Sequence, residues 1–555
     1  TAAKDDAIAA FVAKHHRQPT GPEAVRIRQQ ATLTTREPKR ASTLAEYTER
    51  WARRAGVILA SDPRAWARHV AVASSSRSQP VGVPPARGGT TSAAVDDATV
   101  ERLAATVLDQ VEAKRSTWSR WNIVAASCRA MAAAGLQFAA VDELLAARDR
   151  VGKAAMDRSV LLNPSPVPDS VAVTDLTPGR SIYEPPEIFT SPEVLAAEDA
   201  LLHAADDVSA PSVPADALQR STSTALPGGA ELQPEQAAAI LSVCTSGRVC
   251  DVLVGAAGTG KTTTMAGLRA AWEAEHGPGS VVGLATSAVA AQVLGTEIAI
   301  AAENTAQWLA QQKMQPGRAA RIQQLRARHD ELAAAGRPTD RIDRTLARAM
   351  TQHDRWSLHK DQLLVLDEAG LANLATLNAL AAQAKASGAK LLLVGDHHQL
   401  PAIGAGGTFE LLAQHRPDTA QLTDVHRFHD PDGSVRTWEA EASLQLRSGD
   451  VAALEAYQRH GRIASGTTEE MIDDAYRAWK ADRAAGLDSL LVAADRDTVQ
   501  ALNLTVRADR IRAGEVLPGG VPLGDGTTVG VGDRIVARRV DRHLTDGSEP
   551  GARPN

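Results

Sequence analysis

The chain has 555 residues, too many for one hydrophobic core, because single cores stop growing at roughly 250–300 residues, so several domains are expected. A formal net charge of −6 gives no overall attraction for a polyanion, so any contact with nucleic acid must come from local basic surfaces. Aromatic residues make up only 3% of the chain, which favours a helix-dominated α/β fold.

The cysteines and the apolar pattern indicate a cytoplasmic protein. The three cysteines form neither a disulfide framework nor a CxxC metal site, and we interpret them as buried small hydrophobic residues. No run of about 18 apolar residues is present, and the first residues lack the layout of a signal peptide. Membrane insertion is therefore not expected.

The first 228 residues are predicted to be helical regions joined by polar segments. Capping and turn residues indicate a basic helical region at 1–73, followed by a Ser-, Pro- and Gly-rich linker at 74–99. A second helical region is predicted at 100–160. A proline-rich connector at 161–228 contains one predicted short helix, Ser191 to Ala205.

Two tryptophans in the second helical region, Trp118 and Trp121, leave two interpretations open. Ordinary packing is favoured over a role in stacking on nucleic-acid bases, because buried aromatic side chains dominate the packing of small cores.

From residue 229 the pattern changes to apolar strands that alternate with helices, as in a parallel α/β sheet with helices on both faces. The predicted strands are Val249–Val254, Val281–Ala285, Leu363–Leu366, Leu391–Val394 and Ser489–Ala493.

The segment that follows the first of these strands reads GAAGTGKT and precedes a helical pattern. Its glycines allow the backbone to wrap a β-phosphate, whose charge faces the helix N-terminus. Lys261 would reach the β- and γ-oxygens, and Thr262 would offer its hydroxyl to Mg²⁺. A nucleoside triphosphate site is predicted at Gly255, Ala256, Ala257, Gly258, Thr259, Gly260, Lys261, Thr262 and Thr263.

Two further strands end in polar residues that suit phosphate chemistry. Asp367 and Glu368 follow Leu363–Leu366; Asp367 is expected to hold Mg²⁺, and Glu368 to orient and deprotonate the attacking water. Gln399 follows Leu391–Val394 within GDHHQLP, where it would sense the γ-phosphate and couple hydrolysis to movement of a DNA-binding loop.

The series of motifs from Leu232 to Arg427 resembles that of RecD-like superfamily 1 helicases. The resemblance implies that Gln236, within LQPEQ, reads the adenine of ATP, and that Arg427 closes on the γ-phosphate from a second motor domain. It also implies 5′ to 3′ movement and contacts with single-stranded DNA by Thr286, Ser287 and Thr305.

The chain resembles more closely the MobF-type conjugative relaxase-helicases, through stretches that include Arg28–Arg36, Lys114–Asn122 and Arg447–Tyr457. This resemblance implies the ATP-dependent helicase core of a conjugative DNA-transfer protein, with other conjugation proteins as partners through the parent chain. The metal-binding histidine triad of that family's relaxase domain is not visible, because the pairs His15-His16 and His397-His398 have no third partner at ligand spacing.

The resemblance assigns 229–420 to a RecA-like P-loop NTPase domain and 421–555 to an incomplete second one, in which Val531–Arg539 resembles the start of a β-barrel insert. The chain begins with Thr and ends in a polar stretch, so we expect a fragment truncated at both ends that does not unwind DNA alone. Two alternatives remain open: a RecD-like helicase of DNA repair, and a scaffold that binds single-stranded DNA under the control of ATP without unwinding.

A helical insertion is predicted at 311–361, with eleven Lys or Arg against six Asp or Glu. These side chains could neutralise phosphates, but a solvated helical hairpin with ordinary salt bridges is the favoured interpretation.

Overall fold

The computed structural model describes residues 95–163, 187–222, 232–399, 406–430, 432–523 and 526–535, with the single residues Ala13 and Arg53. The chain divides into two compact units, residues 87–460 and residues 1–86 together with 461–555. The predicted basic helical region at 1–73 lies outside the described residues apart from those two positions, as does most of the predicted linker. Within the described ranges, no helix is both long and apolar enough to cross a membrane.

The larger unit opens with three packed helices, α1 (Asp97–Glu112), α2 (Arg120–Ala133) and α3 (Val141–Asp157). A short antiparallel pair, β1 (Val160–Leu161) and β2 (Phe189–Thr190), follows. Trp118 is buried in this bundle and Trp121 is exposed, so packing accounts for the first tryptophan only. The predicted helix after Ser191 is confirmed as α4 (Pro192–Asp206), capped by the Ser191 hydroxyl, which accepts a hydrogen bond from Val194 N.

A six-stranded parallel sheet forms the centre of the larger unit, in the order β5-β4-β6-β7-β3-β8. Its central strands are continuous apolar runs, as expected where helices cover both faces of a parallel sheet. Four of the five predicted strands are confirmed within it. The strands are β3 (Cys250–Gly255), β4 (Val281–Ala285), β5 (Ala301–Asn304), β6 (Leu363–Asp367), β7 (Lys390–Gly395) and β8 (Ala420–Leu422).

Alternate side chains of the strands pack into two separate apolar clusters, one on each face. Val254, Leu366 and Leu393 belong to one cluster, and Leu253, Val365 and Leu392 to the other. The α/β fold with helices on both faces is therefore confirmed. The helices around the sheet are α5 (Ala215–Thr222), α6 (Pro234–Thr245), α7 (Lys261–His276), α8 (Ala288–Glu297), α9 (Thr305–Ala334), α10 (Asp340–Arg355), α11 (Leu374–Ser387) and α12 (Thr408–His415), with a 3₁₀ turn at Ala369–Leu371.

The end of the sheet lies across the predicted domain boundary at 420/421. Ala420–Leu422 pairs in parallel with β3 as the edge strand β8, so the first sheet includes these residues. Two more helices, α13 (Thr437–Arg447) and α14 (Ala452–Arg459), complete the larger unit.

The predicted strand Ser489–Ala493 is wrong. These residues have no regular structure, and their apolar side chains Leu490 and Val492 are exposed, because no strand or helix among the described ranges covers them. The described part of the smaller unit contains α15 (Thr468–Ala484), α16 (Arg496–Arg512) and the antiparallel pair β9 (Val521–Pro522) and β10 (Thr528–Val529). A second RecA-like domain from 421 stays a prediction, and the segment beyond 535 lies outside the described residues.

Candidate nucleotide site

The loop between β3 and α7 is shaped by glycines that adopt a left-handed backbone. Gly258 has φ of 87° and Gly260 has φ of 77°, a region that side chains other than glycine rarely occupy. Space is also lacking at Gly260, where an added Cβ would lie 2.2 Å from Gln236 Nε2. The Lys261 ammonium donates to Gly255 O at 2.8 Å and to Ala256 O at 3.3 Å, which folds its side chain back over the loop.

An open cavity of about 640 Å³ lies where β3, β6 and β7 end. Because parallel strands place their carboxyl ends at one edge of the sheet, residues far apart in sequence meet there. The predicted site residues that line it are Ala257, Gly258, Gly260, Lys261, Thr262, Thr263, Asp367, Glu368, Gln399 and Arg427.

Burial opposes charge on two of the lining groups. It lowers the pKa of Lys261, although Asp367, Asp396 and Glu368 act in the opposite direction. Burial likewise raises the pKa of Asp367, only partly offset by the hydrogen bond from Glu368 N to Asp367 Oδ1 at 2.9 Å. Among the described residues Lys261 has no ion-pair partner, so the cavity holds a partly dehydrated cation and carboxylate that an anion and a metal ion would each stabilise.

Glu368 has a left-handed backbone with φ of 52° and ψ of 40°. A non-glycine residue in this conformation costs about 1–3 kcal/mol, and such residues cluster at functional sites. Leu371 N donates to Glu368 O at 2.9 Å, so the 3₁₀ turn that follows β6 holds the strained residue in place. The conformation places Glu368 on the lining of the cavity.

An ion pair between Asp396 and Arg447 lies beside the cavity. Arg447 Nη2 lies 2.6 Å from Asp396 Oδ1, and Arg447 Nε lies 3.0 Å from both carboxylate oxygens. Burial alone raises the pKa of Asp396, but Arg447 and His398 N outweigh it and hold that pKa below its usual value. Gln399 Nε2 donates to Asp396 Oδ2 at 3.3 Å, so the ion pair orients the glutamine predicted to sense phosphate.

The segment that carries Arg427 is attached to the loop between β3 and α7 within the same unit. His426 N donates to Gly258 O at 2.8 Å, and a Cβ on Gly258 would lie only 2.6 Å from Arg427 Cβ. The Glu235 carboxylate accepts from Thr423 N at 2.7 Å and from Thr423 Oγ1 at 2.6 Å. These contacts hold Arg427 beside the loop within the larger unit, and its closure on a γ-phosphate from a second motor domain stays a prediction.

Gln236 lies beneath the loop and does not line the cavity. Its side chain is buried, with Oε1 accepting from Gln233 N at 3.1 Å and Nε2 donating to Thr259 O at 3.5 Å. Its contact with adenine stays a prediction.

The residues predicted to contact DNA lie at the ends of β4 and β5, outside the cavity lining. Ser287 Oγ caps α8 by accepting from Ala290 N at 3.1 Å, and Thr305 is buried at the start of α9. Thr286 is half-buried directly after β4. Their contacts with DNA stay predictions.

Two contributors to the site escaped the sequence analysis, Glu235 and the Asp396–Arg447 pair. Glu235 lies next to Gln236 in the LQPEQ motif, and Asp396 lies in the GDHHQLP motif. The motifs predicted a nucleotide site, but they did not indicate a role for these two residues. Arg447 carried no local signal of contact with β7.

Known proteins resemble parts of this chain in sequence. Residues 231–468 match the model of a family described as "AAA domain". Over 287 residues the chain is 30% identical to a probable conjugal transfer protein TraA of Sinorhizobium fredii, a match to 51% of this chain and 22% of that protein. It is 30% identical over 294 residues to the conjugal transfer protein TraA of Rhizobium radiobacter, with the same shares of the two chains.

A solved structure of Pif1 helicase from Candida albicans aligns with 45% of this chain and 55% of its own, at 17% identity and a TM-score of 0.27, too low to indicate a shared fold. The part of this chain that matches the TraA proteins spans only about a fifth of their length. The resemblance to conjugative relaxase-helicases is confirmed: about half of this chain is similar to a portion of TraA conjugal transfer proteins.

Proposed function

We propose that this chain contains the ATP-hydrolysing motor of a conjugative DNA helicase. The observation that carries the proposal is the single cavity that brings together Lys261, Asp367, Glu368, Gln399 and Arg427 at the carboxyl edge of a parallel sheet. These residue types are the ones that phosphoryl transfer needs, since its catalysis consists mainly of positioning and charge stabilisation.

Each side chain has a distinct task in this proposal. Lys261 and Arg427, which both line the cavity, stabilise negative charge on the transferring phosphoryl group. Glu368 accepts a proton from the attacking water. Gln399 distinguishes the triphosphate from the diphosphate, and its hydrogen bond to Asp396 limits how far it can turn.

The cavity fits ATP with Mg²⁺. The partly dehydrated Asp367 carboxylate and the hydroxyl of Thr262 line it together and are hard oxygen ligands of the kind Mg²⁺ prefers. When bound, Mg²⁺ would neutralise charge on the phosphate oxygens.

The partner proposed for this motor is single-stranded DNA, moved in the 5′ to 3′ direction in the cytoplasm, with other conjugation proteins bound through a longer parent chain. Two TraA conjugal transfer proteins support conjugation over DNA repair as the setting. The rival without unwinding, a scaffold gated by ATP, predicts nucleotide binding without turnover.

The test compares two substitutions in the purified chain. Lys261→Ala should weaken ATP binding and lower hydrolysis by at least about 100-fold, because loss of such a contact costs several kcal/mol. Glu368→Gln should leave ATP affinity nearly unchanged while it stops turnover, because the amide cannot take up a proton. Lys385→Ala is the matched control, since that lysine is exposed and paired with Asp207, and neither residue lines the cavity.

ATP affinity is measured by fluorescence titration, and turnover by phosphate release with and without single-stranded DNA. Residual hydrolysis by Lys261→Ala within about tenfold of wild type would contradict the phosphate assignment. Binding without hydrolysis in the wild type, even with DNA present, would favour the scaffold.

A further inference from the structure

The insertion between β5 and β6 is a helical hairpin whose base is fixed to the sheet. Gln312 Nε2 donates to Trp356 O at 2.6 Å, and Gln315 Nε2 donates to His353 O at 2.9 Å, which join α9 to the end of α10. Trp308 and Trp356 are both buried, with ring centroids 6.2 Å apart. Trp308 Nε1 donates to Gln383 on α11 at 2.9 Å, so the hairpin projects from a rigid base.

α10 is exposed along its whole length, because none of its residues is buried. Four arginines share one side of it. At about 100° per residue they fall within an arc of about 60°, and at about 1.5 Å per residue they span about 21 Å. We call them the arginine stripe: Arg341, Arg344, Arg348 and Arg355.

Among the described residues, no carboxylate lies within ion-pair distance of an arginine of the stripe. Two acidic residues of α10 contact other groups: Asp343 lies 3.4 Å from His329 Nε2, and Asp354 lies 3.0 Å from His359 Nε2. The side chains of Arg341, Arg344 and Arg348 have no ion-pair or hydrogen-bond partner among the described residues, although the chain as a whole is acidic.

Two arginines of α9 behave differently. Arg328 on α9 pairs with Glu331 at 2.7 Å, and Arg318 donates to Gln311 O at 3.1 Å. Arg355, at the base of the stripe, lies over the Trp356 ring at 5.2 Å from its centroid. An ordinary salt bridge of the kind expected for a solvated hairpin therefore occurs on α9, whereas the stripe takes part in none within the described part of the chain.

We propose that the arginine stripe binds the phosphate backbone of duplex DNA. Like charges three and four residues apart on one helix face repel one another weakly, and the phosphates of a polyanion beside that face would replace this repulsion by attraction. A span of about 21 Å covers about six phosphates of one strand of a duplex, because that strand carries one phosphate for about every 3.4 Å of the duplex axis. The proposal rests on the proposed DNA motor and adds the duplex as a second partner, apart from the translocated strand.

The absence of stacking groups selects the duplex over single-stranded DNA. Proteins that hold single strands combine basic grooves with exposed aromatic side chains on which bases stack. α10 has no Phe, Tyr or Trp, and both neighbouring tryptophans are buried in the base of the hairpin. A straight row of guanidinium groups on an exposed helix instead suits the regularly spaced phosphates of a duplex.

The experiment replaces all four arginines of the stripe by alanine in the full chain. Affinity for a blunt DNA duplex is measured by fluorescence anisotropy across a salt series. We expect binding about 100-fold weaker at 0.1 M salt, and the slope of log affinity against log salt reduced by about 3.6, because each lost phosphate contact contributes about 0.9. Replacement by lysine should restore most of the affinity, because lysine keeps the charge.

A charge-matched control replaces four exposed arginines that have carboxylate partners of their own. Surface pairs of this kind contribute little to stability, so the control should fold and should bind duplex DNA nearly as the wild type does. The control arginines are Arg328, Arg477, Arg483 and Arg512.

ATP binding by each variant separates this inference from the proposed function and verifies folding. If every variant binds ATP like the wild type, three results would each overturn the inference: an equal loss of duplex affinity in the control, an unchanged salt slope, or a loss confined to single-stranded DNA. A wild-type chain that binds duplex DNA but not ATP would overturn the proposed function and leave the stripe standing.

Discussion

The change in the free energy of unfolding on Arg447→Ala should measure how much the ion pair with Asp396 stabilises the protein. The Asp396 side chain is 2% exposed and that of Arg447 is 26% exposed. Arg447→Ala would leave the carboxylate buried, with only His398 N at 3.1 Å and Gln399 Nε2 at 3.3 Å as donors. Breaking a buried pair from one side costs about 3–5 kcal/mol, and the partial exposure of Arg447 puts this case near 3 kcal/mol.

Arg416→Ala is the matched control. The Arg416 side chain has the same 26% exposure, but its partner Asp418 is 52% exposed, so its loss should lower the free energy of unfolding by less than about 1 kcal/mol. In urea unfolding followed by tryptophan fluorescence, Arg447→Ala should lower the midpoint by about 1 M, taking a slope near 3 kcal/mol per M.

The pH dependence distinguishes an ion pair from simple packing. In the wild type the pKa of Asp396 is below 3.8, so the stability it contributes is present above that pH and is lost as pH falls through the lowered pKa. Without Arg447, burial dominates and raises that pKa, so the cost is greatest near neutral pH and shrinks as the carboxyl protonates. Equal losses in the two variants, or a difference that does not change between pH 7 and pH 4, would refute the reasoning.

Two further predictions concern the loop and the cysteines. Gly260→Ala should abolish ATP binding, because the added Cβ would collide with the Gln236 amide beneath the loop. Gly336→Ala is the control, since Gly336 also has a positive φ but has open space around it, and this variant should bind ATP. ATP binding by Gly260→Ala would contradict the role of the loop's shape. Burial raises the pKa of Cys244 and of Cys250 to about 12, whereas Cys128 is exposed, so the interpretation of all three cysteines as buried is wrong for Cys128. A thiol reagent at neutral pH should therefore modify only Cys128, and rapid modification of two or three of the three thiols would contradict the buried positions.

The cavity could be predicted from sequence because its main residues follow local patterns. Lys261 follows a glycine-rich loop, and Asp367 and Glu368 end an apolar strand. A parallel sheet then brings these strand ends together, whatever the length of the intervening chain.

Local sequence patterns could not predict the contacts between segments that are far apart in the chain. Glu235 binds Thr423 from 188 positions away, and Arg447 reaches Asp396 across 51 positions. Neither contact changes the periodicity or composition near its residues, so the sequence did not indicate that Arg427 lies beside the loop within the larger unit. The predicted strand Ser489–Ala493 failed for a related reason, because alternation of apolar residues predicts a strand only where a neighbour exists to pair with it.

The backbone at Glu368 sets stability and activity against each other. Glycine would adopt φ of 52° without strain and would make this turn more stable, but it would leave the cavity without the carboxylate that lines it. Selection for the stability of the folded protein alone would therefore favour replacement of Glu368 by glycine. Only selection for the proposed ATP hydrolysis would retain the carboxylate. A strained glutamate retained at this turn in distant homologues would identify lineages that have kept the proposed ATP hydrolysis.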